Sequence, residues 1–152
     1  MTKPLAVITG ASSGIGEATA KAFSEAGYPT LLLARRVEIM ESFNLKNSIC
    51  KKVDVRDRDA LVSAVREAEA IYGPTDMMFN NAGVARLADI STQDPNEWDE
   101  MIDVNTKGVM NGIYAVMSDM KARNSGTIIN MSSIAGRKVY EDHTVYCGTK
   151  YF

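Results

Sequence analysis

Apolar runs of four or five residues alternate along the chain with longer segments whose apolar residues recur every three or four positions. The runs predict strands at about 5–9, 29–34, 49–53, 76–80 and 126–131, with helices between them. Strand and helix patterns in alternation are the signature of βαβ units around a parallel sheet. The expected fold class is therefore α/β, a doubly wound parallel sheet in strand order 3-2-1-4-5. The first, second, fourth and fifth runs are continuously apolar, as strands covered on both faces should be. The third, Ile49-Cys50-Lys51-Lys52-Val53, carries two lysines, which suit the edge position that this order assigns to it.

Helix signals fall between these runs. Ala18, Ala22, Phe23 and Ala26 share one face of a first helix that starts near Glu17, and Gly27 is placed to end it. Leu61, Val65, Ala68 and Ile71 form the expected inner stripe of a helix that stops at Gly73-Pro74. Asp94-Pro95-Asn96-Glu97 reads as a helix start, with Asp94 as N-cap and proline at the first helical position. From Trp98 to about Arg123 the pattern is helical but apolar on more than one face: Met101, Ile102, Val109, Met110, Ile113, Tyr114, Val116, Met117 and Met120. Such a helix is buried on two sides, either within a thickly covered core or between its own sheet and another subunit.

Composition narrows the class without naming a function. The chain has 152 residues, is 45% hydrophobic and carries a formal charge of -2, which suits one ordinary globular domain and gives no reason to expect nucleic acid. No apolar run approaches a membrane span and no signal peptide is visible, so the cytoplasm is the default location. Cys50 and Cys147 have no paired spacing that would suggest a metal or a disulfide framework.

Candidate chemistry sits where the runs end. Thr9-Gly10-Ala11-Ser12-Ser13-Gly14-Ile15-Gly16 reads as strand, glycine turn, helix. Glycine lets a phosphate approach the main chain, and the unpartnered amides of a first helical turn attract an anion. The segment is thus either a bare tight turn or a pyrophosphate site with Ser12 and Ser13 as added donors. After the second strand, Ala34 stands where an acid would bind the ribose 2'-hydroxyl of NAD, while Arg35 offers a guanidinium to a 2'-phosphate. Arg35 and Arg36 precede a helical segment, where the dipole disfavours cations unless an anion is bound. Asp54-Val55 follows the third strand, and its carboxylate could either accept from an adenine amino group or cap the helix starting near Asp57. Asn80-Asn81-Ala82-Gly83 is a turn whose asparagines can tie a strand end to a neighbouring loop.

Tyr146-Cys147-Gly148-Thr149-Lys150 places a phenol and an ammonium on one helical face. An ordinary phenol titrates near pH ~10, too high for proton transfer near neutrality, and a neighbouring cation stabilises the phenolate. Ser133 stands thirteen residues earlier, at the end of the fifth run; its neighbour Ser132 is set aside on distance to Tyr146. His143 reads as a loop or helix-start residue and Cys147 as a small packed residue facing away.

Together the glycine turn with its preceding threonine, Asn-Asn-Ala-Gly, the serine and Tyr-x-x-x-Lys resemble the short-chain dehydrogenase/reductase family over essentially the whole chain. The resemblance implies a Rossmann-like fold, an NADP cofactor (NADPH when reduced) in preference to NAD, and a carbonyl or alcohol substrate. It implies contact of Gly10, Ser12, Ser13, Gly14, Ile15, Gly16, Arg35, Arg36, Asp54, Val55, Asn81, Ala82 and Gly83 with the cofactor. Tyr146 would be the general acid/base, Ser133 would hydrogen-bond the substrate oxygen, and Lys150 would stabilise the phenolate and hold the nicotinamide ribose. Asn105, in Asp103-Val104-Asn105, matches the family's helix asparagine that anchors a water reaching the lysine; the alternative is an asparagine buried for packing. A homodimer or homotetramer through the helices around 98–123 and after Tyr146 is implied as well.

The chain stops at Tyr151-Phe152, in the first turns of the helix carrying Tyr146, with five strand patterns where the family's chains have more. The expectation is one dinucleotide-binding domain over residues 1–152, the N-terminal part of a longer protein, with most of the substrate pocket outside it. A non-catalytic NADP-binding sensor or regulator is the competing reading, and a complete but inactive fold is a third.

Overall fold

The computed structural model describes residues 3–152. Five parallel strands form one sheet in the order β3-β2-β1-β4-β5: β1 (Leu5–Thr9), β2 (Thr30–Ala34), β3 (Ser48–Lys52), β4 (Thr75–Asn80) and β5 (Thr127–Asn130). The strands fall within a residue or so of the apolar runs, except that β5 is shorter at both ends. The continuous apolarity of β1 and β2 has a direct cause, because successive side chains face opposite sides of a sheet that is covered on both there. Leu5, Val7, Leu31 and Leu33 enter one core cluster, and Ile8, Leu32 and Ala34 enter another.

The first cluster lies under α3 (Arg58–Tyr72) and α5 (Gly108–Arg123); the second lies under α1 (Gly14–Glu25) and α2 (Val37–Glu41). β3 forms one edge, where Lys51 pairs with Glu67 of α3 at 2.7 Å. At the other edge β5 departs from expectation. Ile128 packs into the first cluster, but Ile129 faces away from it and stays exposed, because α1 and α2 pack over β1, β2 and β3 and do not reach β5. The inner stripe of α3 is also corrected: Leu61, Ala64, Val65 and Ala68 are buried, whereas Ile71 is 67% exposed. Tyr72, four residues after Ala68, packs on the core in its place.

The Asp94 start is realised, with its carboxylate accepting from the Asn96 amide at 2.9 Å and Pro95 opening α4 (Pro95–Ile102). The long helical pattern is broken by a π-helical turn at Asp103–Lys107 before α5 continues. α5 presses close to the sheet at Gly112, where a β-carbon would fall 1.9 Å from Asn80 Oδ1. After β5 a short 3-10 turn (Ile134–Gly136) leads to α6 (Thr144–Tyr151). Among the described residues no helix is long and apolar enough to cross a membrane.

Candidate active site

The glycine turn and the end of β4 are built against each other. Gly10 has φ +64°, and a β-carbon there would lie 2.8 Å from Ala82 Cα; at Gly16 it would lie 2.4 Å from the Gly10 carbonyl oxygen. Only hydrogen at these positions lets the Thr9–Gly16 turn fold back beside Asn81-Ala82. Thr9 closes the junction: its Oγ1 accepts from the amides of Asn81 and Ala82, both at 3.0 Å, and Asn81 Nδ2 donates to the Thr9 carbonyl at 3.0 Å.

A cleft of about 500 Å³ opens at the carboxyl edge of the sheet, between the turn and the segments after β2, β3, β4 and β5. Ser13 precedes α1 without a side-chain cap, so the first-turn amides of α1 have no side-chain acceptor. Gly10, Ser12, Ser13, Ile15, Arg35, Arg36, Asp54, Val55, Asn81, Ala82 and Gly83 all line this cleft. Gly14 and Gly16 open the first turn of α1 without lining the cleft, Gly14 exposed and Gly16 buried. Arg36 Nη2 donates to Ser12 Oγ at 3.2 Å and Ser13 Oγ at 3.3 Å, bridging the end of β2 to the glycine turn.

Asp54 does not cap α3. Asp57 does so through the Ala60 amide at 3.0 Å, while the Asp54 carboxylate takes Arg56 Nη2 at 2.6 Å and Nε at 3.0 Å. These bonds from Arg56, aided by the charge of Arg35, hold its carboxyl below the usual carboxylate range.

Tyr146, Lys150 and Ser133 line the same cleft at its far end. The Lys150 ammonium lies 5.9 Å from the Tyr146 ring centroid and donates to the Met131 carbonyl at 2.9 Å. Burial pushes its pKa below the ordinary lysine value. Ser133 Oγ accepts from the Ala135 amide at 3.1 Å, which leaves its hydroxyl proton free to donate.

Asn105 lies outside the cleft wall, buried in the π-helical turn. Its Oδ1 accepts from the Val84 amide at 2.8 Å, and its Nδ2 donates to the Val84 carbonyl at 2.8 Å and to Thr149 Oγ1 at 3.0 Å. His143 stands just before α6, as its sequence position suggested, and Cys147 is buried. Sequence reasoning missed that the His143 ring lies 6.2 Å from that of Tyr146, and that Thr9 joins β1 to the Asn-Asn-Ala-Gly turn. A threonine at a strand end carries no signal that separates a structural hydroxyl from a β-former.

A doubly wound parallel sheet with a cleft at its carboxyl edge, where the strand order reverses, defines a protein of the Rossmann fold class. Residues 4–152 match the short chain dehydrogenase family model, and the chain belongs to that family. It is 44% identical over 149 residues to an uncharacterized oxidoreductase of Staphylococcus saprophyticus, covering 95% of this chain and 61% of that protein. The chain thus spans about three-fifths of that relative's length. It is 32% identical to the closed form of a serine dehydrogenase complexed with NADP+, with TM-score 0.93, over 97% of this chain and 61% of that one. A metagenomic short-chain oxidoreductase in complex with NADP is 33% identical, with TM-score 0.89, over 97% of this chain and 70% of that one.

Proposed function

We propose that the chain carries the cofactor cleft and proton-transfer group of an NADP-dependent oxidoreductase acting on a carbonyl or secondary alcohol. The observation that carries this reading is the meeting of Tyr146, Lys150 and Ser133 on the cleft that begins at the glycine turn. NADPH, when bound, supplies a hydride to the carbonyl carbon. Tyr146 gives its proton to the carbonyl oxygen as charge develops there, and takes one from the alcohol in the reverse direction. The free hydroxyl proton of Ser133 steadies the same oxygen. Lys150, anchored on Met131, stabilises the negative charge left on the phenol and keeps two N–H groups for the nicotinamide ribose.

Gly10, Ser12, Ser13 and the first turn of α1 would hold the pyrophosphate, Arg35 and Arg36 a 2'-phosphate, and Asp54-Val55 the adenine. Preference for NADP over NAD rests on the two arginines and on the absence of an acid at Ala34, and it accords with the NADP bound by the two structural relatives. We place the protein in the cytoplasm, where Cys50 and Cys147 stay reduced. NADPH oxidation against a panel of ketones and aldehydes, with Tyr146→Phe as control, tests the assignment. The variant should lose about a hundredfold or more in turnover and keep its NADPH affinity. Unchanged turnover removes Tyr146 from this role.

A further inference from the structure

Asn105 reaches the segment bearing Tyr146 and Lys150 through a single hydroxyl. Its Nδ2 donates to Thr149 Oγ1 at 3.0 Å, and that hydroxyl donates to the Tyr146 carbonyl at 2.8 Å. A helical threonine that bonds back to the preceding turn is ordinary. Here, however, the same oxygen also accepts from a buried side chain on another element, and Thr149 is itself buried. Every polar atom of Asn105 is committed, two bonds to Val84 and one to Thr149. The carboxamide is therefore a bracket that fixes α6 against the loop after β4.

Helix geometry shows what this bracket controls. Tyr146 and Lys150 lie about 40° apart around α6, while Thr149 lies about 60° from Tyr146 on the opposite side from Lys150. The pair faces the cleft while Thr149 faces the π-helical turn. A side-chain tip about 6 Å from a helix axis moves by about 1 Å for every 10° of roll. An error of about 1 Å in a reacting group can cost on the order of a hundredfold in rate. We propose that Thr149 is a positioning residue, whose hydroxyl sets the roll of α6 and thereby places Tyr146 and Lys150 against the cofactor cleft. The assignment rests on the reading of Tyr146 and Lys150 as the proton-transfer pair.

The test uses Thr149→Val, which keeps the shape and removes the hydroxyl, and Thr149→Ser, which restores the hydroxyl. Two readouts are taken: steady-state kinetics with NADPH, and the rate at which acetic anhydride labels Lys150, read by mass spectrometry against exposed Lys121. Thr149→Val should lower kcat by about 10- to 100-fold, with a smaller rise of less than about tenfold in KM for NADPH from the displaced Lys150. It should also raise Lys150 labelling several-fold as the ammonium leaves Met131, and Thr149→Ser should return both values close to wild type. Wild-type labelling and kcat in Thr149→Val, or equal losses in both variants, overturn the proposal. If Thr149→Val does not fold, Thr149→Cys, of similar size and a weak hydrogen-bonder, takes its place under the same criteria. If the wild type reduces no carbonyl, the functional reading fails, while the labelling still decides whether Thr149 places Lys150.

Discussion

Thr9 and Asn81 hold each other at both main chain and side chain: the Asn81 amide donates to Thr9 Oγ1 and Asn81 Nδ2 donates to the Thr9 carbonyl, each at 3.0 Å. The same hydroxyl also accepts from Ala82 at 3.0 Å, so one oxygen satisfies two amides of the turn after β4. Thr9→Val keeps the shape and strands both donors, and should cost about 2 kcal/mol or more of stability. Thr9→Ser should stay within about 1 kcal/mol of wild type. Urea denaturation checks this, and equal stability of the two variants would remove the hydroxyl from its place as the tie between β1 and β4.

Arg35 and Arg36 stand side by side but are tied differently. Arg36 is already held by the hydroxyls of Ser12 and Ser13, so Arg36→Ala should loosen the glycine turn and weaken NADH as well as NADPH, with the larger loss for NADPH. Arg35 lines the cleft, with no hydrogen bond from its guanidinium among the described residues. Loss of one charge-assisted bond to a 2'-phosphate corresponds to about 1.5–3 kcal/mol, or roughly 10- to 150-fold in affinity. Arg35→Ala should show that loss for NADPH and leave NADH unchanged, by fluorescence titration. Equal losses for the two cofactors would place the 2'-phosphate elsewhere.

Much of this arrangement is legible in the sequence because strands buried on both faces leave uninterrupted apolar runs, and β1 and β2 are such strands. Legibility fails where a contact leaves no periodic trace. Asp103-Val104-Asn105-Thr106-Lys107 continues the helical apolar period through Val104 with nothing to separate a π turn from a weak α-helical one, yet it takes the wider π turn that presents Asn105 to Val84 and Thr149. The bond from Arg56 to Asp54 joins residues two apart in a loop, where neither helical nor strand spacing is a guide. Ile71 satisfied the helical period on α3 but lost the inward place to Tyr72, because i+3 and i+4 positions compete for the same side of a helix.

Lys150 couples function to stability with a definite sign. Burial lowers its pKa in the folded protein, so between that value and the ordinary lysine pKa of about 10.4 the unfolded chain binds more protons. Stability contributed at this site therefore rises with pH through that window and is lowest below it, where the buried ammonium stays charged. Lys150→Met removes the term. The stability of the variant relative to wild type should be greatest near neutrality and should fall as pH rises into the alkaline range. Paired urea melts at neutral and alkaline pH measure this, and a difference that does not change with pH would show that the ammonium is as well solvated in the folded protein as in the unfolded one.

Met110, Tyr114 and Met117 follow the i, i+4, i+7 spacing of one face of α5, and they are 52%, 65% and 44% exposed. Val116 and Met120, about 100° round the helix, are buried in the core on the sheet, so the second apolar stripe is not explained by the chain's own core. Arg58 lies over the Tyr114 ring at 5.4 Å and donates to Asn111 at 3.0 Å, giving the stripe a polar border. An apolar stripe with a polar border on a helix suits two-fold packing against its own copy, in which each residue meets its equivalent or a near neighbour. We propose that this face joins subunits in a homodimer or homotetramer. Tyr114→Asp places a charge at its centre and should weaken association by about 2–4 kcal/mol, roughly thirty- to a thousand-fold in Kd. Because Tyr114 is exposed within the single chain, the circular dichroism and urea midpoint of the isolated subunit should hardly move. Sedimentation velocity over a concentration series separates the outcomes: an oligomer that Tyr114→Asp dissolves supports the interface, and an oligomer it leaves intact assigns assembly to another surface, with α6 the next to test.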